Sequence, residues 1–216
     1  MDRIEKENLP ALFEALRDVF TAQREALIAL DGKVGDSDLG ITMNKAFIAA
    51  FESVRNNTTD PIGKTLQLAG MAVAKAAPST MGTLVATGLI RGGKALENAQ
   101  AWSTAEMSVF WAAFLKGVAD RGKAQLGDKT LLDVLSPIAL SLEASSASGT
   151  ELSTALQQAA QVARDGLEAT KAMVAQHGKA ACFQEKTLGL QDAGATVGVL
   201  MIETMHAYVV QSGSNT

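Results

Sequence analysis

The sequence predicts an all-α protein, a closed antiparallel bundle or barrel of eight helices, and three observations lead there. Ala, Leu and Met are abundant while Pro is held to 4 residues and aromatic residues to 5%, a balance that suits helices better than sheets. Apolar residues recur with the helical period along most of the chain. Strand alternation, heptads and low-complexity runs are missing from the sequence, and short polar loops separate the periodic stretches, as in up-and-down bundles.

The elements follow in order. From Leu9 to Leu30, Leu12, Phe13, Leu16, Val19, Phe20, Ala26, Leu27 and Leu30 form one apolar stripe that stops at Asp31-Gly32. A second helix spans about Ile41 to Val54, and Asn56 to Pro61 is a turn that starts a third, running towards Ala77. Pro78-Ser79-Thr80 breaks the pattern, and Met81 to Leu96, rich in small and apolar residues, is a buried helix. Four more helices fit Ser103 to Arg121, Thr130 to Ala144, Glu151 to Gln176 and Ala195 to Gln211. Ser103 and Ser153 suit helix starts, and Glu106 adds an acidic residue to a first turn.

At 216 residues the chain suits a single domain, residues 1–216. A net charge of −4 offers no electrostatic footprint for nucleic acid or an anionic membrane. The lone Cys182, with only His177 and His206 beside it, forms neither an internal disulfide nor a zinc set, which fits a reducing cytoplasm. None of these three residues is assigned a role. The charged N-terminus lacks the apolar core of a signal peptide, and no uninterrupted apolar run reaches the roughly 20 residues that span a bilayer. A soluble protein is expected.

Against this background one loop stands out. Asp31-Gly-Lys-Val-Gly-Asp36-Ser-Asp38 places three carboxylates within eight positions at a helix start. Like charges this close repel unless a cation lies between them, and Mg²⁺, which favours a few carboxylates plus waters and phosphate oxygens, suits the set. Asp36-Ser-Asp38 matches the first two ligands of an EF-hand, but Ile41 falls where its glycine belongs and Phe47 where its bidentate Glu belongs. Gly63-Lys64-Thr65 imitates the end of a P-loop, yet the earlier glycine position is Thr58 and no strand precedes it. Phosphate is expected instead at helix N-termini. Gly40-Ile41-Thr42-Met-Asn44 offers free N–H groups beside the aspartates, with Thr42 and Asn44 adding side-chain donors. Pro78-Ser79-Thr80-Met81-Gly82-Thr83 forms a similar nest, and Gly127-Asp128-Lys129-Thr130 and Asp192-Ala193-Gly194 are polar loops feeding apolar helices.

Asp31 through Asn44, Gly70-Met71, Arg91, Arg121 to Ala124, Gly127 to Thr130, Asp133 and Gln191 to Thr196 keep one order and spacing from the first helix to the last. In these the chain resembles the nucleotide-binding L subunit of dihydroxyacetone kinase. The resemblance implies an eight-helix barrel holding ADP or ATP with two Mg²⁺ ions at one end. Asp31, Asp36 and Asp38 become metal ligands, while Gly40, Ile41 and Thr42 meet phosphate through the backbone. Ser79, Thr80, Met81 and Gly82 form a second phosphate loop. Gly122 and Leu131, with Thr130 beside them, line adenine and ribose; Lys179 is a basic nucleotide contact, and Asp192, Ala193 and Gly194 close the site. The chemistry implied is phosphoryl transfer to a hydroxyl of a short ketose.

The resemblance also implies a partner. In this family a separate K subunit or domain holds the sugar on a histidine, so a homodimer or hetero-oligomer is expected. Some members exchange ATP; others keep ADP bound and rephosphorylate it from a phosphohistidine protein of the phosphotransferase system. A regulatory subunit that senses nucleotide and docks on a transcription regulator is an alternative role, and the nucleotide domain of a fatty-acid kinase is another. Two departures from the family pattern mark a divergent branch, with a tetrulose as a candidate substrate. Leu39 replaces the usual His, and Ala77-Pro-Ser-Thr-Met-Gly82-Thr replaces a Gly-Gly-Ala-Ser-Gly-Pro loop.

Overall fold

The structure is a computed structural model that describes residues 2–57 and 59–213. Thr58, which fills the glycine position of the imitated P-loop, lies outside the described residues. The molecule is mostly helical. A two-residue strand β1 (Ile4–Glu5) precedes α1 (Leu9–Ala22), α2 (Arg24–Asp31), α3 (Leu39–Arg55), α4 (Ile62–Ala76) and α5 (Thr80–Ala95). Strand β2 (Ala101–Trp102) leads into α6 (Thr104–Gly122), α7 (Leu132–Ala147), α8 (Leu152–Ala169) and α9 (Ala193–Gly213). Short 3₁₀ segments occupy Lys6–Asn8, Thr170–Ala172 and Ala180–Thr187.

Three departures from the sequence expectation have local causes. The helix expected over 9–30 is divided at Gln23, whose N–H still reaches the Val19 carbonyl at 2.8 Å, so the apolar stripe passes the break unchanged. The helix expected to reach Gln176 ends at Ala169: the buried Thr170 donates its hydroxyl to the Leu167 carbonyl at 2.6 Å, and Met173 is already extended. β1 and β2 pair antiparallel with Ile4 opposite Trp102, a ladder too short to leave an alternating signature.

The helix starts are fixed by side chains that satisfy the free N–H groups of the first turn. Ser103 and Glu106 form a capping box on α6, Ser79 Oγ accepts from the Gly82 N–H at 3.1 Å on α5, and Asp192 Oδ2 accepts from the Ala195 N–H at 2.6 Å on α9. Each of α3 to α9 packs on its neighbour in sequence, α1 packs on α3, and α9 returns to pack on α1. The helix contacts thus run in a cycle, with α2 lying against α3. The buried apolar side chains of these helices make one cluster, from Ile4 to Val209. α9 is long and apolar enough, by length and composition, to cross a bilayer, although Glu203 interrupts it. Here it is a core helix, with Val197, Met201, Ile202, Met205 and Val209 buried.

Glycine sets the closest helix approaches. A Cβ on Gly63 would sit 2.5 Å from the Gly93 carbonyl oxygen, so the glycine of the imitated P-loop serves the α4–α5 contact. On α5, Gly88 and Gly92 receive the rings of Phe114 and Phe110 from α6, and a Cβ at Gly88 would lie 2.4 Å from the Phe114 ring. Overfilling such a contact costs about 2 kcal/mol. Gly88→Ala is therefore expected to lower unfolding free energy by that amount in a urea titration with an unchanged m-value; wild-type stability would show that the α5–α6 seam yields.

Candidate functional site

The loop between α2 and α3 folds back on itself because two small residues let it. A Cβ on Gly35 would lie 2.1 Å from Asp31 Oδ1, and Ser37 takes a left-handed conformation (φ 63°) between the two other aspartates. One carboxylate oxygen from each of Asp31, Asp36 and Asp38 lies within 4.8 Å of the others. Asp31 Oδ2 also accepts from the N–H groups of Asp38 at 2.9 Å and Leu39 at 3.3 Å, so it anchors the start of α3 while facing the cluster. The Asp38 carboxyl is pushed above the ordinary carboxylate range, first by loss of solvent and then by the Asp36 and Asp31 charges. Lys179 opposes that shift and pairs with Asp36. Its own ammonium is held above the usual lysine range, chiefly by the hydrogen bond to Asp36.

Facing the aspartates is a wall made of helix starts. Leu39 from α3, Ser79, Thr80 and Met81 from α5, and Asp192, Ala193 and Gly194 from α9 line one cleft of about 220 Å³ with the three aspartates and Lys179. Each helix begins at this region and so brings the positive end of its dipole there, an arrangement suited to anions. The cleft runs into a narrower, mostly apolar slot of about 150 Å³ whose lining includes Leu84, Val118, Gly122, Ala124, Thr130 and Leu131. Carboxylates at one end, helix starts in the middle and an apolar slot at the other match the three parts of a metal-bound nucleotide.

Most residues singled out in the sequence meet here: Asp31, Asp36, Asp38, Ser79, Thr80, Met81, Gly122, Thr130, Leu131, Lys179, Asp192, Ala193 and Gly194. Gly40, Ile41, Thr42, Asn44 and Gly82 are not among the residues lining the cleft or the slot. Gly40 packs against α2, where a Cβ would meet the Arg24 carbonyl oxygen at 2.0 Å, and Gly82 packs likewise on Ala77. The Thr42 side chain is buried, and its N–H is already bonded to the Asp38 carbonyl. Asn44, expected beside phosphate, faces α1 in this structure and accepts the Thr21 hydroxyl at 3.0 Å. The part left to Gly40 and Ile41 is that of first-turn N–H groups.

Lys129 and His177, given no role from sequence, line the site, and Asp133 holds the turn beside it. Lys129 is buried, sits in a left-handed conformation (φ 60°) and donates to the carbonyls of Thr170 at 2.7 Å, Thr187 at 2.9 Å and Leu190 at 2.5 Å. Burial pulls its ammonium below the usual lysine range, and the Asp192 charge opposes this. Asp133, also buried, holds the preceding turn by accepting from the Gly127 and Thr130 N–H groups at 2.6 and 2.7 Å. His177 lines both cleft and slot, with Nε2 on Asp128 Oδ2 at 2.9 Å.

Asp192 is raised to about 6, above all by burial, against the Ala195 N–H and Lys129, which lower it. A carboxyl raised on folding binds its proton more tightly in the native state, so stability is greatest below the unfolded value and falls as pH rises towards 6. Allowing for partial exposure, the loss is about 2 kcal/mol. Asp192→Asn keeps an acceptor for the Ala195 N–H. It is expected to flatten the pH dependence of the urea midpoint between roughly pH 4 and 6; an unaltered slope would show that Asp192 titrates as in the unfolded chain.

The sequence matches the family model described as the DAK2 domain over residues 33–207. It is 32% identical over 188 residues to the PEP-dependent dihydroxyacetone kinase, ADP-binding subunit DhaL, of Escherichia coli (strain K12), covering 87% of this chain and 90% of that one. It is 31% identical over 208 residues to the L-erythrulose kinase of Pectobacterium atrosepticum, covering 95% of this chain but 35% of that protein. Among solved structures, the fold matches the dihydroxyacetone kinase of C. freundii in complex with AMP-PNP and Mg²⁺, with a TM-score of 0.69 and 24% identity over 92% of this chain and 33% of that one. This chain therefore spans nearly all of the first relative and about a third of the other two.

Proposed function

We infer that this chain, which belongs to the DAK2-domain family, is the nucleotide-bearing subunit of a dihydroxyacetone-type kinase that transfers a phosphoryl group to a hydroxyl of a short ketose. The observation that carries this reading is the continuous path from three clustered aspartates, past three helix starts, into an apolar slot. The helix contacts, running from α1 through α3 to α9 and back, support a closed eight-helix barrel in which α2 continues α1.

The residues present fit a hard divalent cation. Three carboxylate oxygens share a small volume, and Asp38, pushed up first by loss of solvent and then by the Asp36 and Asp31 charges, stands where a positive charge would relieve the repulsion. Asp31, Asp36 and Asp38 would hold Mg²⁺, two ions in the family's manner, and the metal supplies electrostatic stabilisation of charge on the phosphates. The chain's own residues do the rest by positioning. First-turn N–H groups of α3, α5 and α9 bind phosphate oxygens, Leu84, Val118 and Leu131 exclude water from the base, and Lys179 balances charge at the aspartate end. Leu39, buried at the cleft wall, contributes shape and no proton.

The ketose is held by a separate K-type subunit, in a cytoplasmic hetero-oligomer. The phosphoryl source is ATP or, as the PEP-dependent relative suggests, ADP rephosphorylated in place by a phosphohistidine protein. The L-erythrulose kinase similarity favours a tetrulose beside dihydroxyacetone as acceptor. Mixing the chain with a K-type subunit, Mg²⁺, either phosphoryl source and a panel of three- and four-carbon ketoses is expected to give a ketose phosphate that requires all components. Product with one source alone identifies the donor. No product in any mixture, with nucleotide still bound, would replace the catalytic reading by the regulatory one.

A further inference from the structure

Four polar side chains line both the cleft and the slot: Thr80, Lys129, His177 and Asp192. In a nucleotide whose base fills the slot and whose phosphates reach the aspartates, the group between these ends is the ribose. Two of the four are committed elsewhere: Lys129 Nζ spends its three protons on three carbonyls, and Asp192 caps α9. Thr80 stands at the start of α5, on the phosphate side of the junction, and no second side chain among the described residues fixes its hydroxyl. His177 differs. Its Nε2 is fixed by Asp128, and Nδ1 has no protein partner among the described residues.

The imidazole is held ready by more than one bond. Asp128 Oδ2 also accepts from the Gln125 N–H at 2.7 Å, and the Asp128 carbonyl accepts from the Gln176 N–H at 3.0 Å, so both sides of the pair are tied to one turn. A carboxylate can only accept, which puts the ring proton on Nε2 and leaves Nδ1 as an acceptor in the neutral imidazole. Gly178, with φ 67°, turns the chain immediately afterwards, so that Lys179 can reach Asp36 while His177 stays at the junction.

We propose that His177, positioned by Asp128, accepts a hydrogen bond from a ribose hydroxyl and makes the site selective for ribonucleotides over their deoxy forms. The proposal rests on the nucleotide reading given above. An acceptor aimed at a hydroxyl donor is left unsatisfied when that hydroxyl is removed, which is the asymmetry that yields discrimination.

The test is calorimetric titration of the full chain with Mg-ADP, Mg-2′-deoxy-ADP and Mg-3′-deoxy-ADP at about pH 8, where an ordinary imidazole is neutral. The wild-type chain is expected to bind one deoxy form about five- to tenfold more weakly than ADP. His177→Ala should lose the same factor for ADP and bind ADP and that deoxy form alike, and Asp128→Asn should fall between, with circular dichroism confirming folded protein. Equal wild-type affinity for all three ligands overturns the proposal while leaving nucleotide binding intact. So does a His177→Ala loss shared equally by all three ligands. Absence of nucleotide binding by the wild-type chain would instead remove the functional reading, and this proposal with it.

Discussion

Replacing Asp36 by asparagine is expected to abolish Mg²⁺-dependent ADP binding while the helices remain folded. Asp36 is exposed, and its partner in the structure is the still more accessible Lys179, so neither core packing nor a helix cap is lost. Stability should change by no more than about 0.5 kcal/mol. The carboxylate, by contrast, is one of the three proposed to share the cation, and losing such a group costs about 100-fold or more in affinity for the metal-bound ligand. Calorimetry with and without Mg²⁺, beside a thermal melt, separates the two effects. Undiminished Mg²⁺-dependent affinity in the folded variant would remove the aspartate cluster from the site.

Lys129→Met should be the most damaging single change outside the apolar core. It keeps the length of the side chain but leaves the Thr170, Thr187 and Leu190 carbonyls without their donor. Each orphaned carbonyl costs about 1–3 kcal/mol, and release of the buried ammonium from its desolvation offsets part of the sum. A net loss of about 3 kcal/mol in urea unfolding is expected. The effect should be local as well as global. Amide exchange should accelerate over residues 187–194, and ADP affinity should fall, because that segment is the wall of both cleft and slot. A variant as stable as the wild type, with unchanged exchange, would show that the carbonyls find other donors.

These two lysine and aspartate sites also mark what a sequence can disclose. Asp31, Asp36 and Asp38 announce themselves because their relation is local: three acidic residues in one loop repel wherever the chain runs next. The helices were legible for the same reason, since an apolar stripe such as Leu12, Leu16 and Phe20 is a property of neighbours along the chain. Lys129 is different. In Gly127-Asp128-Lys129-Thr130 it looks like a surface turn residue, and its burial depends on carbonyls 41 to 61 positions away. His177 likewise acquires its meaning from Asp128, 49 positions earlier. The end of α8 is not legible in the sequence because Thr170 and its surroundings, not a Pro or Gly, stop the helix. The contact of Asn44 with Thr21 of α1 is likewise a matter of how α3 packs, which its place after a helix start does not disclose.

The return of α9 to α1 bears on how the protein comes to exist at all. The Tyr208 hydroxyl reaches the Asn8 carbonyl at 3.2 Å across 200 positions, and the cleft takes its aspartates from near one end of the sequence and its Asp192-Gly194 wall from near the other. Contacts of such long separation are the slowest to form, because the loop they close is nearly the whole chain. On the ribosome the early helices can pair as they emerge, but the pocket is finished only when α9 arrives. On the proposed function, a metal-bound nucleotide that binds the completed cleft and not its fragments would then act as a latch, deepening the native state in proportion to the logarithm of its concentration.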